Sequence, residues 1–277
     1  MQQPKIVFLG TGGDSAVVGK QLKASGGIII QVDDSQFHLD PGPGALVRAA
    51  EYGINLRNNV AILCSHNHLN HCNDINAVID AMSLRGLDIH GVLVGNKTVI
   101  NGNIVDGKEI EKPYLTEFHR KLMERVIALE VGKRVGINNI EIKATATKHS
   151  DPDCIGFRLL TPNFNMGYTS DTGYTRSLLE DFKDVDLLIL NVQNPDDNSD
   201  EFHLCTHEAI KIINETKPKL AIVTHFGAKM IDADVLTQAR FIQKETNVQT
   251  IAARDGMVIN PISYSVNLRQ KTLNLFK

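Results

Sequence analysis

Three imidazoles stand within six residues, at His66, His68 and His71, in the run Ser65-His66-Asn67-His68-Leu69-Asn70-His71. Neutral imidazole is the commonest protein ligand for zinc-like ions, so this crowding points first to metal coordination. His66 and His68 are two apart, and in an extended segment both rings reach the same side. His71 lies three further on, where a tight turn aims it at a second, adjacent position. The competing reading is surface or core histidines that happen to cluster. Asn70 is the complication: a neutral amide stands where a carboxylate is expected.

Three later residues strengthen the metal reading. His149 follows the alternating run Ile140 to Ala146, Asp171 follows Phe164 to Thr169, and His225 follows Ala221 to Thr224. Ligands gathered from separate strand ends are how a rigid scaffold holds metal geometry. A carboxylate among imidazoles can bridge two cations and offset part of their charge. His38, His90 and His119 read as ordinary histidines. Cys64, Cys72 and Cys205 read as small buried apolar groups. Gly10-Thr11-Gly12-Gly13 completes no G-x-G-x-x-G and is not a nucleotide fingerprint.

The elements that must position these groups are mostly short β-rich runs. Lys5 to Leu9 is a strand, and Gly26 to Val32 with Gln36 to Leu39 forms a hairpin across Asp33-Asp34-Ser35. The loop Asp40-Pro41-Gly42-Pro43-Gly44 excludes regular structure, and Ala45 to Tyr52 is helical with Gly53 at its end. Val60 to Cys64 leads straight into the histidines, and Asn73 to Ser83 has helical spacing at Ile75, Val78, Ile79 and Met82. Gly91 to Val94 is a buried strand. A polar stretch from Gly95 to Lys108 and a helix over Tyr114 to Val126 form a loop-helix excursion, at about 95–130, over the site. Ile155 to Leu160 partners Ile140 to Ala146, and Asp186 to Asn191 continues the strands. Helices are predicted at Ser177 to Phe182, Thr206 to Thr216 and Ala233 to Thr246, with Thr206 able to cap the second. Val248 to Ala252 and Met257 to Asn260 read as a closing hairpin. Runs of strands that then alternate with helices suit one layered α/β domain over 1–277.

Composition removes several function classes. A net charge of −3 and the lack of any Lys/Arg run give no clear nucleic-acid patch, and the absence of Trp leaves few stacking platforms. The four cysteines form no C-x-x-C, so neither a zinc ribbon nor a dithiol motif is signalled. The N-terminus lacks a signal peptide's apolar region and no run approaches a membrane span. A cytoplasmic chain with free thiols is the expectation.

The Phe8-Leu9-Gly10-Thr11-Gly12-Gly13 turn, the Leu39-Asp40-Pro41-Gly42 loop, the histidine run and the later His149, Asp171 and His225 together resemble the metallo-β-lactamase superfamily. The resemblance covers nearly the whole chain. That family's first motif is H-x-H-x-D-H, so the chain departs from it at Asn70. The resemblance implies a four-layer αββα sandwich: two mixed β-sheets with helices on the outer faces and metals along one edge. It implies that His66, His68 and His149 hold one divalent ion, that His71 and His225 hold a second, and that Asp171 bridges them. Asn70 then stands where an aspartate normally ligates the second ion, as a neutral and poorer ligand. Asp40 resembles a supporting aspartate that orients a ligand histidine.

The phosphodiesterase and tRNA 3′-endonuclease branch adds a further histidine before the last ligand. His203, twenty-two residues before His225, matches it and would serve as general acid, whereas His207 reads as solvent-facing. The expected function is metal-dependent hydrolysis of a phosphodiester by a metal-activated hydroxide, with Asp171 positioning the nucleophile. The expected cofactor is one or two divalent ions, Zn2+ first, with Mn2+ or Fe2+ also fitting. A tRNA 3′-end endonuclease and a thioester or lactone hydrolase use the same machinery. A non-catalytic metal-binding or scaffold protein is the alternative that Asn70 raises. The expected partner is a small-molecule or nucleotide-like phosphodiester, with a homodimer left open.

Overall fold

Alternation with a period of two sorts most strand side chains between different cores. In the computed structural model, which describes residues 3–196 and 198–268, Lys5–Gly10 turns Ile6 and Phe8 into one apolar cluster and Val7 and Leu9 into another. In Leu187–Asn194, Leu187 and Ile189 join that same first cluster, while Leu188, Leu190 and Val192 enter a third. Two sheets therefore share one central core, and each buries its other face beneath helices. Ala45–Glu51 and Ile75–Ser83 cover the first sheet; Ser177–Asp181, Thr206–Thr216 and Val235–Thr246 cover the second. This is the expected αββα sandwich.

The first sheet orders its strands Val266–Leu268, Met257–Ile259, Lys5–Gly10, Ser25–Val32, Ser35–Leu39, Asn59–Cys64, Val92–Gly95 and Arg125–Ala128. The second runs Thr250–Ala252, Leu220–Thr224, Leu187–Asn194, Asn165–Tyr168, Ile155–Leu160, Ile140–Ala146 and Arg134–Ile137, with Leu204–Cys205 beside Leu187–Asn194. Ser35–Leu39 and Asn59–Cys64 are parallel, so their carboxyl ends deliver Asp40 and His66 side by side. Asn165–Tyr168, Leu187–Asn194 and Leu220–Thr224 are also parallel, and their ends deliver Asp171 and His225 together. Parallel pairing is what gathers polar strand ends on one edge.

Several local expectations are corrected. Tyr114 to Val126 is not one helix: Glu117–Arg120 makes a single turn capped by Thr116, and Arg125–Ala128 is an edge strand. The open edge of Val92–Gly95 offers backbone partners there, which a helix would have left unused. The stretch from Gly95 to Lys108 holds a short helix, Lys97–Asn101, and the first strand of the hairpin Asn103–Val105 with Lys108–Glu111. Thr250–Ala252 and Met257–Ile259 do not form a hairpin, because the first pairs with Leu220–Thr224 and the second with Lys5–Gly10, in opposite sheets. Thr206 does not cap its helix. Cys205 and Glu208 form the capping box, and the buried Thr206 hydroxyl donates to Gln238 Oε1. Ser15–Gly19 and Arg134–Ile137 are elements that the sequence reading missed. Among the described residues no helix is long and apolar enough to cross a membrane.

Candidate metal centre

His66 and His68 leave the end of Asn59–Cys64 in extended backbone, and His68 starts the one-turn helix Leu69–Cys72 that carries His71. The glycine-rich turn explains how the far side of the site closes on them. A Cβ at Gly13 would lie 2.3 Å from the His225 carbonyl oxygen and 2.7 Å from its Nδ1. A Cβ at Gly42 would lie 2.0 Å from the Asn70 carbonyl oxygen, so only glycine admits these approaches. Gly13 N–H donates to Phe226 O and Phe226 N–H donates to Thr11 O, which fixes the loop bearing His225. Asp40 (φ 50°) and His225 (φ 64°) occupy the left-handed region, a conformation usually kept where a site requires it.

The predicted ligands converge as two groups that share Asp171. In His66, His68, His149 and Asp171, and in His71, Asp171 and His225, the ligand atoms of each group all lie within 4.8 Å of one another. His68 Nδ1 is 3.0 Å from His149 Nε2, and His71 Nε2 is 3.0 Å from His225 Nε2. Asp171 Oδ2 lies 3.7 Å from His66 Nε2 and 3.2 Å from His71 Nε2, while its Oδ1 lies 3.2 Å from His225 Nε2. Zinc–ligand bonds near 2.0–2.1 Å place neighbouring tetrahedral donors about 3.3 Å apart. The spacing fits an ion at each group.

Proton bookkeeping supports the same fit. Asp40 Oδ2 accepts from the Ser65 hydroxyl at 2.7 Å, and that spends the only Ser65 hydroxyl proton. Ser65 Oγ can then only accept from His66 Nδ1–H at 2.9 Å, which leaves the His66 Nε2 lone pair facing the site. That atom is buried and has no hydrogen-bond partner among the described residues. His149 is fixed likewise, with Nδ1–H donating to Phe202 O at 3.2 Å and Nε2 turned inward.

Burial pushes the His66, His68 and His149 imidazoles below their usual range and takes His225 down to about 3, so all four are neutral near pH 7. His71 goes the other way. Burial lowers it, but Asp171, by charge and hydrogen bond, and Asp40 outweigh that and raise it to about 10. Burial would raise the Asp171 carboxyl, yet the imidazoles of His225, His71 and His66 hold it well below the carboxylate range.

Asp40 accepts hydrogen bonds from three residues around the cluster. Its Oδ2 accepts from His71 Nδ1 at 2.9 Å and from the Tyr168 hydroxyl at 2.7 Å, and its Oδ1 accepts from Ser65 N–H at 2.7 Å. Asn191 was not singled out in the sequence. Its Nδ2 donates to Asp171 Oδ1 at 2.7 Å and to Tyr168 Oη at 3.1 Å, so a buried chain of hydrogen bonds ties Asp40 to Asp171. Asp151 was missed as well. It accepts from Asn96 Nδ2, Thr98 Oγ1 and Asn67 N–H, and so joins the loops of His149 and His68 to the excursion. The signal available was an acidic residue two positions after a candidate ligand.

Asn70 presents its amide nitrogen to the site. Nδ2 donates to Gly13 O at 2.9 Å and lies 3.1 Å from His225 Nε2. The carbonyl acceptor dictates that orientation, so the amide oxygen is turned away from the ligand position the sequence reading gave it. His203 stands beside the cluster, with Nδ1 3.1 Å from both Asp200 oxygens and Nε2 3.9 Å from Asp171 Oδ2. His207 is mostly exposed and pairs with Asp196 at 3.5 Å, away from the ligands. All four cysteines are buried and free, and burial pushes their thiols up, as suits packing groups.

Residues 35–226 match the sequence family described as the beta-lactamase superfamily domain. The chain belongs to the metallo-β-lactamase superfamily. Within that superfamily it is 36% identical over 257 residues to the uncharacterized protein MJ1374 of Methanocaldococcus jannaschii, covering 92% of this chain and 94% of that one. It is 25% identical over 158 residues to ribonuclease Z of Methanopyrus kandleri, covering 56% of this chain and 50% of that one. Among solved structures, the metallo-β-lactamase fold protein YhfI of Bacillus subtilis superposes with a TM-score of 0.74 at 18% identity, over 93% of this chain and 99% of that one. The resemblance read from the sequence is thereby established as superfamily membership.

Proposed function

We propose that the chain is a metal-dependent hydrolase acting on a phosphodiester. The observation that carries the reading is the pair of ligand groups joined by one buried carboxylate, Asp171. His66, His68, His149 and Asp171 would hold a first divalent ion, and His71, His225 and Asp171 would hold a second. Asn70 is not among the ligands. The imidazole-rich sphere favours Zn2+, with Mn2+ or Fe2+ as alternatives. When bound, such an ion supplies Lewis acidity, bringing the pKa of water to about 7 and neutralising charge on a phosphoryl group.

The remaining roles belong to the side chains. Asp171 accepts from Asn191 and orients the nucleophile between the two groups. His203 donates Nδ1–H to Asp200, and its Nε2 lies on the cleft side, 3.9 Å from Asp171 Oδ2. With both ring nitrogens protonated, Nε2–H would pass its proton to the departing oxygen and leave the neutral imidazole still held by Asp200. The kinship with a ribonuclease Z supports phosphodiesters over thioesters or lactones as the substrate class. A scaffold without catalysis would not need a convergent His/Asp set in which Ser65, Phe202 and Asp40 hold His66, His149 and His71 by their Nδ1 atoms.

The test is turnover of bis(p-nitrophenyl) phosphate against an acyl thioester by metal-loaded protein. Diester cleavage that His66→Ala abolishes supports the reading; thioester cleavage alone contradicts it.

A further inference from the structure

Beside the metal groups lies a cleft of about 540 Å³, within the span of roughly 300–1,000 Å³ that small-molecule sites occupy. His68, Asn70, Asp171 and His203 line it from the metal groups. Its apolar lining comes from Val18 and Gly19 of the Ser15–Gly19 helix, with Pro43 and Leu69. Leu69 is 61% exposed although it is a large apolar side chain next to two candidate ligand residues. Asn73 and Gln193 also line the cleft, as neutral groups that donate and accept hydrogen bonds.

No Lys or Arg is among the described residues that line the cleft, and no Phe or Tyr. Of its two carboxylates, Asp171 belongs to the metal groups. Asp14 is spent on the backbone, accepting from Val17 N–H and from Ala228 N–H at 2.7 Å each. Nucleic-acid strands are held chiefly by cations on successive phosphates and by aromatic stacking of bases. This cleft supplies neither.

We propose, resting on the hydrolase reading above, that the cleft receives one uncharged, partly apolar arm of a monomeric phosphodiester, with the substrate's single phosphate at the metal groups. Leu69, Val18 and Pro43 cover the apolar edge of that arm, and Asn73 and Gln193 meet its polar edge. A polynucleotide is excluded as the preferred substrate, because its flanking phosphates would lie in a cleft without cations.

Two diesters with the same leaving group isolate the arm: bis(p-nitrophenyl) phosphate carries an aryl arm and methyl p-nitrophenyl phosphate a methyl arm. The metal-loaded wild type, Leu69→Ser and Val18→Ser are assayed on both esters and on a single-stranded oligoribonucleotide, with metal content measured for each protein. Intrinsic reactivity cancels when the aryl-to-methyl ratio of kcat/KM is compared between proteins. Each substitution is expected to cut that ratio about tenfold, through KM for the aryl ester, with metal content unchanged. An unchanged ratio in both variants overturns the cleft assignment while leaving the hydrolase reading intact. Faster cleavage of the oligoribonucleotide than of either ester also overturns it. Failure of metal-bearing protein to cleave any phosphodiester overturns the hydrolase reading, and this inference with it.

Discussion

Asn70 Nδ2 donates to the Gly13 carbonyl oxygen at 2.9 Å, and this contact binds the histidine loop to the N-terminal turn. An aspartate at position 70 would set a carboxylate oxygen against that carbonyl. Without metal, Asn70→Asp is therefore expected to lose about 1 kcal/mol of stability, the low end of the cost of an unpaired polar contact because this one is only part-buried. With metal, the added anionic donor tightens the second site. Thermal unfolding with and without chelator checks this: the variant should melt below wild type when stripped and recover most of the difference when loaded. Equal melting in both states, with unchanged second-site affinity, would contradict the geometry.

The metal-free site keeps a proton where the second ion would sit. His71 is raised to about 10 by Asp171 and Asp40 against burial, so it is an imidazolium at pH 7. A cation can take His71 Nε2 only after that proton leaves. His66, His68 and His149 are lowered by burial and already neutral. Counting the side-chain ligands alone, filling the second site should thus release about one proton more at pH 7 than filling the first; a proton lost by a metal-activated water adds to either. Second-site affinity should rise with pH, about tenfold per unit below pH 10. Calorimetric titration in two buffers of different ionisation enthalpy reads the protons directly, and equal release at both sites would refute the assignment.

Asp40 holds Ser65, His71 and Tyr168 at once. Asp40→Asn removes the charge beside His71 and turns one of two oxygens that both accept into a donor, so one side of the Ser65–His71–Tyr168 set loses its acceptor. Such partners are worth about 10–100-fold in metal affinity. The loss should fall more heavily on the second ion than on the first, since His66 is reached only through Ser65. Competition with a chromophoric chelator measures both constants. Identical affinities in variant and wild type would show that Asp40 serves only the loop.

His203 belongs to neither ligand group, so His203→Ala should leave metal content intact. General-acid loss is expected to cost about 10²–10⁴ in kcat on diesters with a poor alcohol leaving group, and far less on p-nitrophenyl esters. A uniform fall on both kinds of ester would point to a structural role instead.

What the sequence displayed and what it hid follow from the range of the interactions. Ile140–Ala146 was legible from its alternation and Lys5–Gly10 from its short β-rich composition, because both signals are local. The candidate ligands His149, Asp171 and His225 were legible because each sits just past a strand-like run. The pairing of Thr250–Ala252 and Met257–Ile259 with different sheets was not, since a turn signal says nothing about distant partners. Arg125 and Val126 read as the end of the Tyr114 to Val126 helix because the open strand edge that pairs with Arg125–Ala128 lies far away in the chain. Asn191 and Tyr168 were invisible for the same reason: their importance lies in hydrogen bonds to residues far away in the chain.

Metal analysis of the purified chain, paired with diester turnover by wild type and His66→Ala, bears most directly on the whole account. It predicts one firmly held divalent ion per chain, a second that exchanges more readily, and loss of both the first ion and turnover in His66→Ala. Freshly purified protein that carries no divalent ion, takes up none on titration, and behaves identically to His66→Ala would contradict it.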